Sequence, residues 1–207
     1  MDYHALLQEL MKELNATEYV KPSDIPNIDL YMDQVTTFME SKLRESSRNP
    51  EEDKILTKTM INNYAKNKLI PAPEKKKYTK EHLLLLILIY YYKSILSIKD
   101  IQTILNPLTD KYFGQELDDD GQMGLKDIYT EIVDICTKGV DDTKKDLLRK
   151  MKQAESTFTD VDDEEDKEML QLFAYICALC FDIHTKKSLV EKIIDHMAES
   201  MGNDSKS

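Results

Sequence analysis

Residues 57–71 read TKTMINNYAKNKLIP, and residues 72–80 continue as APEKKKYTK. Thr57 is a good N-cap, and Leu56 stands where it can staple onto Ile61 as residues N′ and N4. A helix is therefore predicted from Thr57 to Lys68. Pro71 and Pro73 forbid helix, so residues 70–77 should form an extended excursion or a small hairpin. Thr79 caps the next helix, with Tyr78 and Leu83 placed as a second staple. That helix, from Lys80 to about Ser94, is apolar nearly all round and should be the central strut of its domain.

On a wheel of 100° per residue, Met60, Ile61, Tyr64 and Ala65 fall on one side of the 57–68 helix, and Thr59, Asn62, Asn63 and Lys66 on the other. One face packs; the other presents amides, a hydroxyl and a lysine. Such a face suits a major groove, because Asn bonds adenine in a bidentate way and Thr reaches a base edge or a thymine methyl. Asn62 and Thr59 are the candidate base readers, with Asn63 beside them. Lys58, Lys66 and Lys68 are candidate phosphate contacts, which position a protein on duplex and release counterions. The following turn carries Lys75, Lys76 and Lys77, a wing able to straddle a phosphate strand, and Tyr78 could stack or bond a phosphate. Polar residues opposite an apolar stripe also describe an ordinary solvated face. The order of the parts favours the duplex: capped helix, proline turn, lysine wing, second capped helix.

Charge singles out the same segment. The chain has 207 residues and a net charge of −11. Between Lys54 and Lys80 stand eight lysines and one acid, Glu74, giving +7 and leaving −18 for the remainder. A body of that sign does not adhere to nucleic acid as a whole.

Working outward, Leu6, Leu7, Leu10, Met11 and Leu14 predict a short amphipathic helix over 3–15, and Leu30, Tyr31, Val35, Phe38, Met39 and Leu43 a second over about 29–43. Residues 44–53 read as a polar loop. A shorter helix should span Ser97 to Leu105 and stop before Pro107. Residues 114–124 read as a linker, followed by helices near 125–138, 142–156, 165–183 and 186–200, punctuated by Gly139 and by the acidic run 160–166. Strand signals are scarce, so the fold class is all-α. The expected domains are an N-terminal helix and linker (1–26), a DNA-binding domain (27–115) and a helical dimerisation or effector domain (116–207), in which the apolar helix 165–183 is a candidate interface.

With 41% apolar and 32% charged residues the chain is globular and rich in solvent-laced helices. The start, Met1-Asp2-Tyr3-His4, lacks a signal sequence, and the ten apolar residues from Leu83 to Tyr92 fall short of the roughly 20 a membrane span needs. Cytoplasmic localisation without membrane attachment is expected, with three reduced cysteines. Cys177, Cys180 and His184 share a helix face as potential soft ligands, but their apolar surroundings favour core packing over a metal. Glu116, Asp118, Asp120 and Asp127 mimic a calcium loop only in part, with the wrong terminal ligands. No phosphate-cradling glycine loop, nucleophile elbow or zinc-protease helix is present, and His4, His82 and His196 are expected at the surface. No enzyme activity and no cofactor are expected.

The run from Thr57 to Pro71 resembles the recognition helix and exit of the MerR regulators, in which a Leu-Ile-Pro exit leads to a basic wing ending in Tyr-Ser/Thr; here those residues are Lys77, Tyr78 and Thr79. The stretch from Ile25-Pro26 through residues 30–34 (LYMDQ) to residues 98–102 (IKDIQ) resembles a little-characterised bacterial family of unknown function, over roughly residues 25–106. The resemblance implies a MerR-like winged helix-turn-helix followed by a C-terminal helical bundle. It further implies a sequence-specific transcriptional regulator of double-stranded DNA, possible homodimerisation and an unidentified effector. Two differences stand out: about a dozen residues separate the motif's two helices, where MerR regulators have a tight turn, and the wing carries lysine where arginine is common. The alternative is a helical adaptor whose lysine patch meets an acidic protein.

Overall fold

A computed structural model of the chain describes residue 9 and residues 19–114 and 123–204. Apart from residue 9, the helix expected over 3–15 lies outside the described residues, as does most of the expected linker, with Glu116, Asp118 and Asp120. The chain divides into two compact units, one built on residues 20–133 with residues 191–204 and the other on residues 134–190.

The first unit opens with a 3-10 turn, Pro22–Asp24, and a two-residue strand, β1 (Leu30–Tyr31). Helix α1 (Met32–Leu43) follows at once, its start closed by Gln34, whose Oε1 accepts the Tyr31 N–H at 2.8 Å. After a 3-10 turn (Arg44–Ser46) and the polar loop comes α2 (Lys58–Lys66), then β2 (Lys77–Tyr78), α3 (Lys80–Tyr92) and α4 (Ile98–Tyr112). The strands pair antiparallel, Leu30 opposite Tyr78 and Tyr31 opposite Lys77. Among the described residues the fold is thus helical, with one two-stranded ladder.

Helix α3 is the centre of this unit, as its sequence required. Every residue from His82 to Ile89 is buried. Burying an aliphatic side chain of this size contributes about 1.5–3 kcal/mol, so a helix without a polar face is stable only when neighbours enclose it. They do: Val35, Met39 and Leu43 of α1, Ile61 and Tyr64 of α2, and Ile101 and Leu105 of α4 are all buried. The N-terminal part of α5 (Leu125–Glu155) adds Leu125, Tyr129 and Val133, and the Tyr129 hydroxyl donates to the Val20 carbonyl at 2.7 Å.

In the second unit, α5 continues to Glu155, and residues 164–190 of α6 (Glu164–Asp204) run back beside it. The Gln171 amide donates to the carbonyls of Glu155 and Thr157 at 2.8 and 3.0 Å, and the Tyr175 hydroxyl to that of Leu147 at 3.3 Å. Lys150 bridges to Asp182 at 3.2 Å. Asp163 caps α6 by accepting the Asp166 N–H at 2.9 Å.

Three expectations are corrected. Helix α4 runs through Pro107 to Tyr112, because Ile101 and Leu105 anchor it in the core and one missing hydrogen bond does not outweigh that burial. Gly139 does not divide α5, since a glycine inside a helix costs only about 1 kcal/mol. No break falls near residues 184–186 either: nothing there is a helix breaker, and the Thr185 hydroxyl donates to the Phe181 carbonyl within one continuous α6.

Candidate nucleic-acid interface

Helix α2 is built as its sequence dictates. Thr57 Oγ1 accepts the Met60 N–H at 3.2 Å, while Ile61 and Tyr64 face the core. Thr59, Asn62, Asn63 and Lys66 are exposed together on the opposite face. Lys58 is exposed as well and forms an ion pair with Asp33 in the first turn of α1. No local pattern marks that partner, which lies 25 residues earlier and would compete with phosphate for the ammonium.

The helix ends in a Schellman motif. The Leu69 N–H bonds the Tyr64 carbonyl at 2.8 Å and the Lys68 N–H that of Ala65 at 3.2 Å, with Leu69 and Tyr64 both buried. The position that must adopt left-handed backbone, normally glycine, is Lys68, at φ +57°. Gln102 of α4 donates to the Asn67 carbonyl at 3.1 Å and ties this end of α2 to the neighbouring helix.

The wing is a tight turn. The Lys77 N–H bonds the Glu74 carbonyl at 2.8 Å across Lys75 and Lys76, whose φ values are +47° and +63°. Positive φ at both central positions marks a type I′ turn, which favours Asn-Gly. All three wing lysines are exposed. The base of the wing is fixed by the β1–β2 ladder, and Lys77 Nζ lies 5.8 Å from the centre of the Tyr31 ring.

Tyr78 is corrected from a duplex contact to a packing residue. It is 2% exposed, its ring meets that of His82 edge-on at 5.5 Å, and burial raises its pKa. His82, expected at the surface, is buried too. Its Nδ1 accepts the Thr79 N–H at 3.1 Å, closing the start of α3, so the imidazole proton belongs on Nε2. Nε2 is enclosed with no partner in hydrogen-bond geometry. Burial drives the His82 pKa down to about 4, opposed in part by the Pro71 carbonyl and Asp29.

The acidic loop before α2 is held by its own bonds. Asp53 accepts from the Ser47 hydroxyl and, at 3.1 Å, from the Asn49 N–H, which with Arg44 and Lys93 nearby lowers its pKa. Arg44 donates to the carbonyls of Pro50 and Asp53.

Other constellations are plainer. A cleft of about 620 Å³ in the first unit mixes Lys80 and Lys126 with Asp29, Glu81 and Asp127, so its charges offset. Lys80 donates to Asn27 Oδ1 at 2.7 Å, and its pKa is lowered by burial and then by Lys126. Among the described residues, no group of three or more His, Cys, Asp and Glu side chains is placed to hold a metal. Cys177 and Cys180 are exposed on α6 rather than packed in a core. No described helix is long and apolar enough to cross a membrane.

Neither the curated proteins nor the solved structures contain a match to this chain. Residues 20–132 match a family described as Domain of unknown function (DUF1836), which takes in the whole lysine-rich segment with the helices around it and extends beyond the 25–106 expected. That span is more than half of the 207 residues, and the chain belongs to this family.

Proposed function

We propose that this protein is a sequence-specific DNA-binding regulator of transcription with a MerR-like winged helix-turn-helix, α1 and α2 forming the motif and the Glu74–Lys77 turn the wing. In this reading Asn62 and Thr59 of α2 read base edges in the major groove, with Asn63 adjacent. Lys58, Lys66, Lys68, Lys75, Lys76 and Lys77 contact phosphates. The order β1, α1, α2, wing, α3 supports it. The long connection between α1 and α2, residues 44–57, departs from the usual tight turn.

The observation that carries the reading is the backbone of three lysines. Lys68, Lys75 and Lys76 all hold positive φ at positions where glycine or asparagine is relaxed. A left-handed non-glycine residue costs roughly 1 kcal/mol, and strain of this kind persists where a side chain is needed. Exposed lysines at a helix exit and a wing tip are needed for an anionic partner.

Titration of labelled duplexes from upstream of the protein's own gene, at several salt concentrations, tests this. Sequence preference and a log–log salt slope of about −5 are expected if the six lysines meet phosphates. Asn62→Ala should cost about 1–3 kcal/mol on the preferred duplex and little on others, whereas Lys76→Ala should weaken all duplexes alike. Equal behaviour of the two variants overturns the division of roles. Absence of any salt-dependent duplex binding leaves the lysine patch to an acidic protein partner.

A further inference from the structure

The cleft of about 620 Å³ in the first unit has the size of a small-molecule site, a class that spans about 300 to 1,000 Å³. Asn27 and Asp29, which lead into β1, form one side of it, and Thr79, Lys80 and Glu81, which follow β2, form another. Lys126 and Asp127, in the first turn of α5, complete the ring of polar groups.

Two ammonium groups and three carboxylates thus line one cleft, and among the described residues neither lysine is ion-paired. Lys80 donates instead to the neutral amide oxygen of Asn27 at 2.7 Å. Glu81 accepts the Gly114 N–H at 2.8 Å and Asp127 accepts the Gly124 N–H at 3.0 Å, which fixes both carboxylates in place. Lys126 stands near enough to Lys80 to lower its pKa beyond what burial does, so the two positive charges converge.

A site built this way has charge of both signs to offer. An anion alone would be repelled by three carboxylates, and a cation alone by two ammonium groups. A molecule with a carboxylate at one end and an ammonium at the other satisfies both. Ile28, 67% exposed, and Leu84 also line the cleft and offer apolar surface to a short side chain. A free α-amino acid has these three parts within the available volume.

We propose that this cleft binds a free α-amino acid, with Lys80 and Lys126 taking its carboxylate and Asp29 and Asp127 its ammonium. The binding does not rest on the DNA-binding reading and is tested without duplex. Because the cleft joins residues just before β1 to residues just after β2, its occupant touches both ends of the ladder that fixes the wing.

Isothermal titration of the full-length chain with each common L-amino acid in turn should find at least one with a Kd below about 1 mM. The amide of that amino acid lacks the carboxylate and its N-acetyl form lacks the ammonium. Each should bind at least about tenfold more weakly. Asp29 and Lys126 are exposed, so Asp29→Asn and Lys126→Gln should leave the helical circular dichroism unchanged while weakening the amino acid at least about tenfold. No amino acid bound at that level, a derivative bound as well as its parent, or a ligand held equally by the wild type and both variants would each overturn the proposal.

Discussion

The wing tip shows how much a single backbone angle can say. Lys75 and Lys76 occupy the two positive-φ positions of the turn, where Asn-Gly is the relaxed choice. Replacing the pair by Asn and Gly should stabilise the fold by about 1–2 kcal/mol, read as a higher midpoint in urea. The same variant should bind duplex more weakly, with a salt slope shallower by about 2. Stabilisation with unaltered duplex affinity would remove the functional reason offered for the strain. His82 gives a second residue-scale test. Its pKa falls from 6.5 to about 4 on folding, so between those values the unfolded chain binds more protons than the native one and stability rises with pH. Its contribution is complete above pH 6.5 and is lost as pH falls toward 4, by about 3 kcal/mol at most. Gln keeps the N3 acceptor but does not titrate. His82→Gln should therefore flatten the pH dependence of the unfolding free energy between pH 4 and 6.5 relative to the parent. Parallel curves for the two proteins would show that His82 is not the group that senses acid.

At the scale of elements, the helices divide by what holds them. Helix α3 has no face to spare and is held by its neighbours, so its existence follows from composition. Helices α5 and α6 are long and largely exposed, so local propensity weighs more in them. Gly139 lies in mid-helix, and a Cβ added there meets nothing within 4 Å. Gly139→Ala should raise stability by about 1 kcal/mol in thermal or denaturant unfolding, since alanine removes backbone freedom from the unfolded chain without touching anything in the folded one. A loss of stability would mean that the position is not the open helical site seen here. Helix α2 lies between these cases: nine residues are too few to stand alone, and its Thr57 cap, its Schellman end and the Gln102 bond fix it where Ile61 and Tyr64 can pack.

At the scale of the molecule, charge is segregated: +7 between Lys54 and Lys80 against −18 elsewhere. Contact with a polyanion is thus confined to one patch, and the salt slope of duplex binding should count those lysines rather than follow the net charge of −11.

What the sequence by itself determined is local. Thr57, Leu56 and Ile61 announced the start of α2, Pro71 and Pro73 its exit, and the unbroken apolar run of α3 the centre of a core, because capping, proline geometry and hydrophobic period act over a few residues. Tertiary structure decided the rest. It buried Tyr78 and His82 by bringing β2 back onto β1, and it carried α4 through Pro107 by anchoring Ile101 and Leu105. It left Cys177 and Cys180 outside by packing α5 on another face of α6. It also put Lys68, Lys75 and Lys76 into left-handed backbone. In each case partners distant in the chain set the energy, and no window of neighbouring residues contains them.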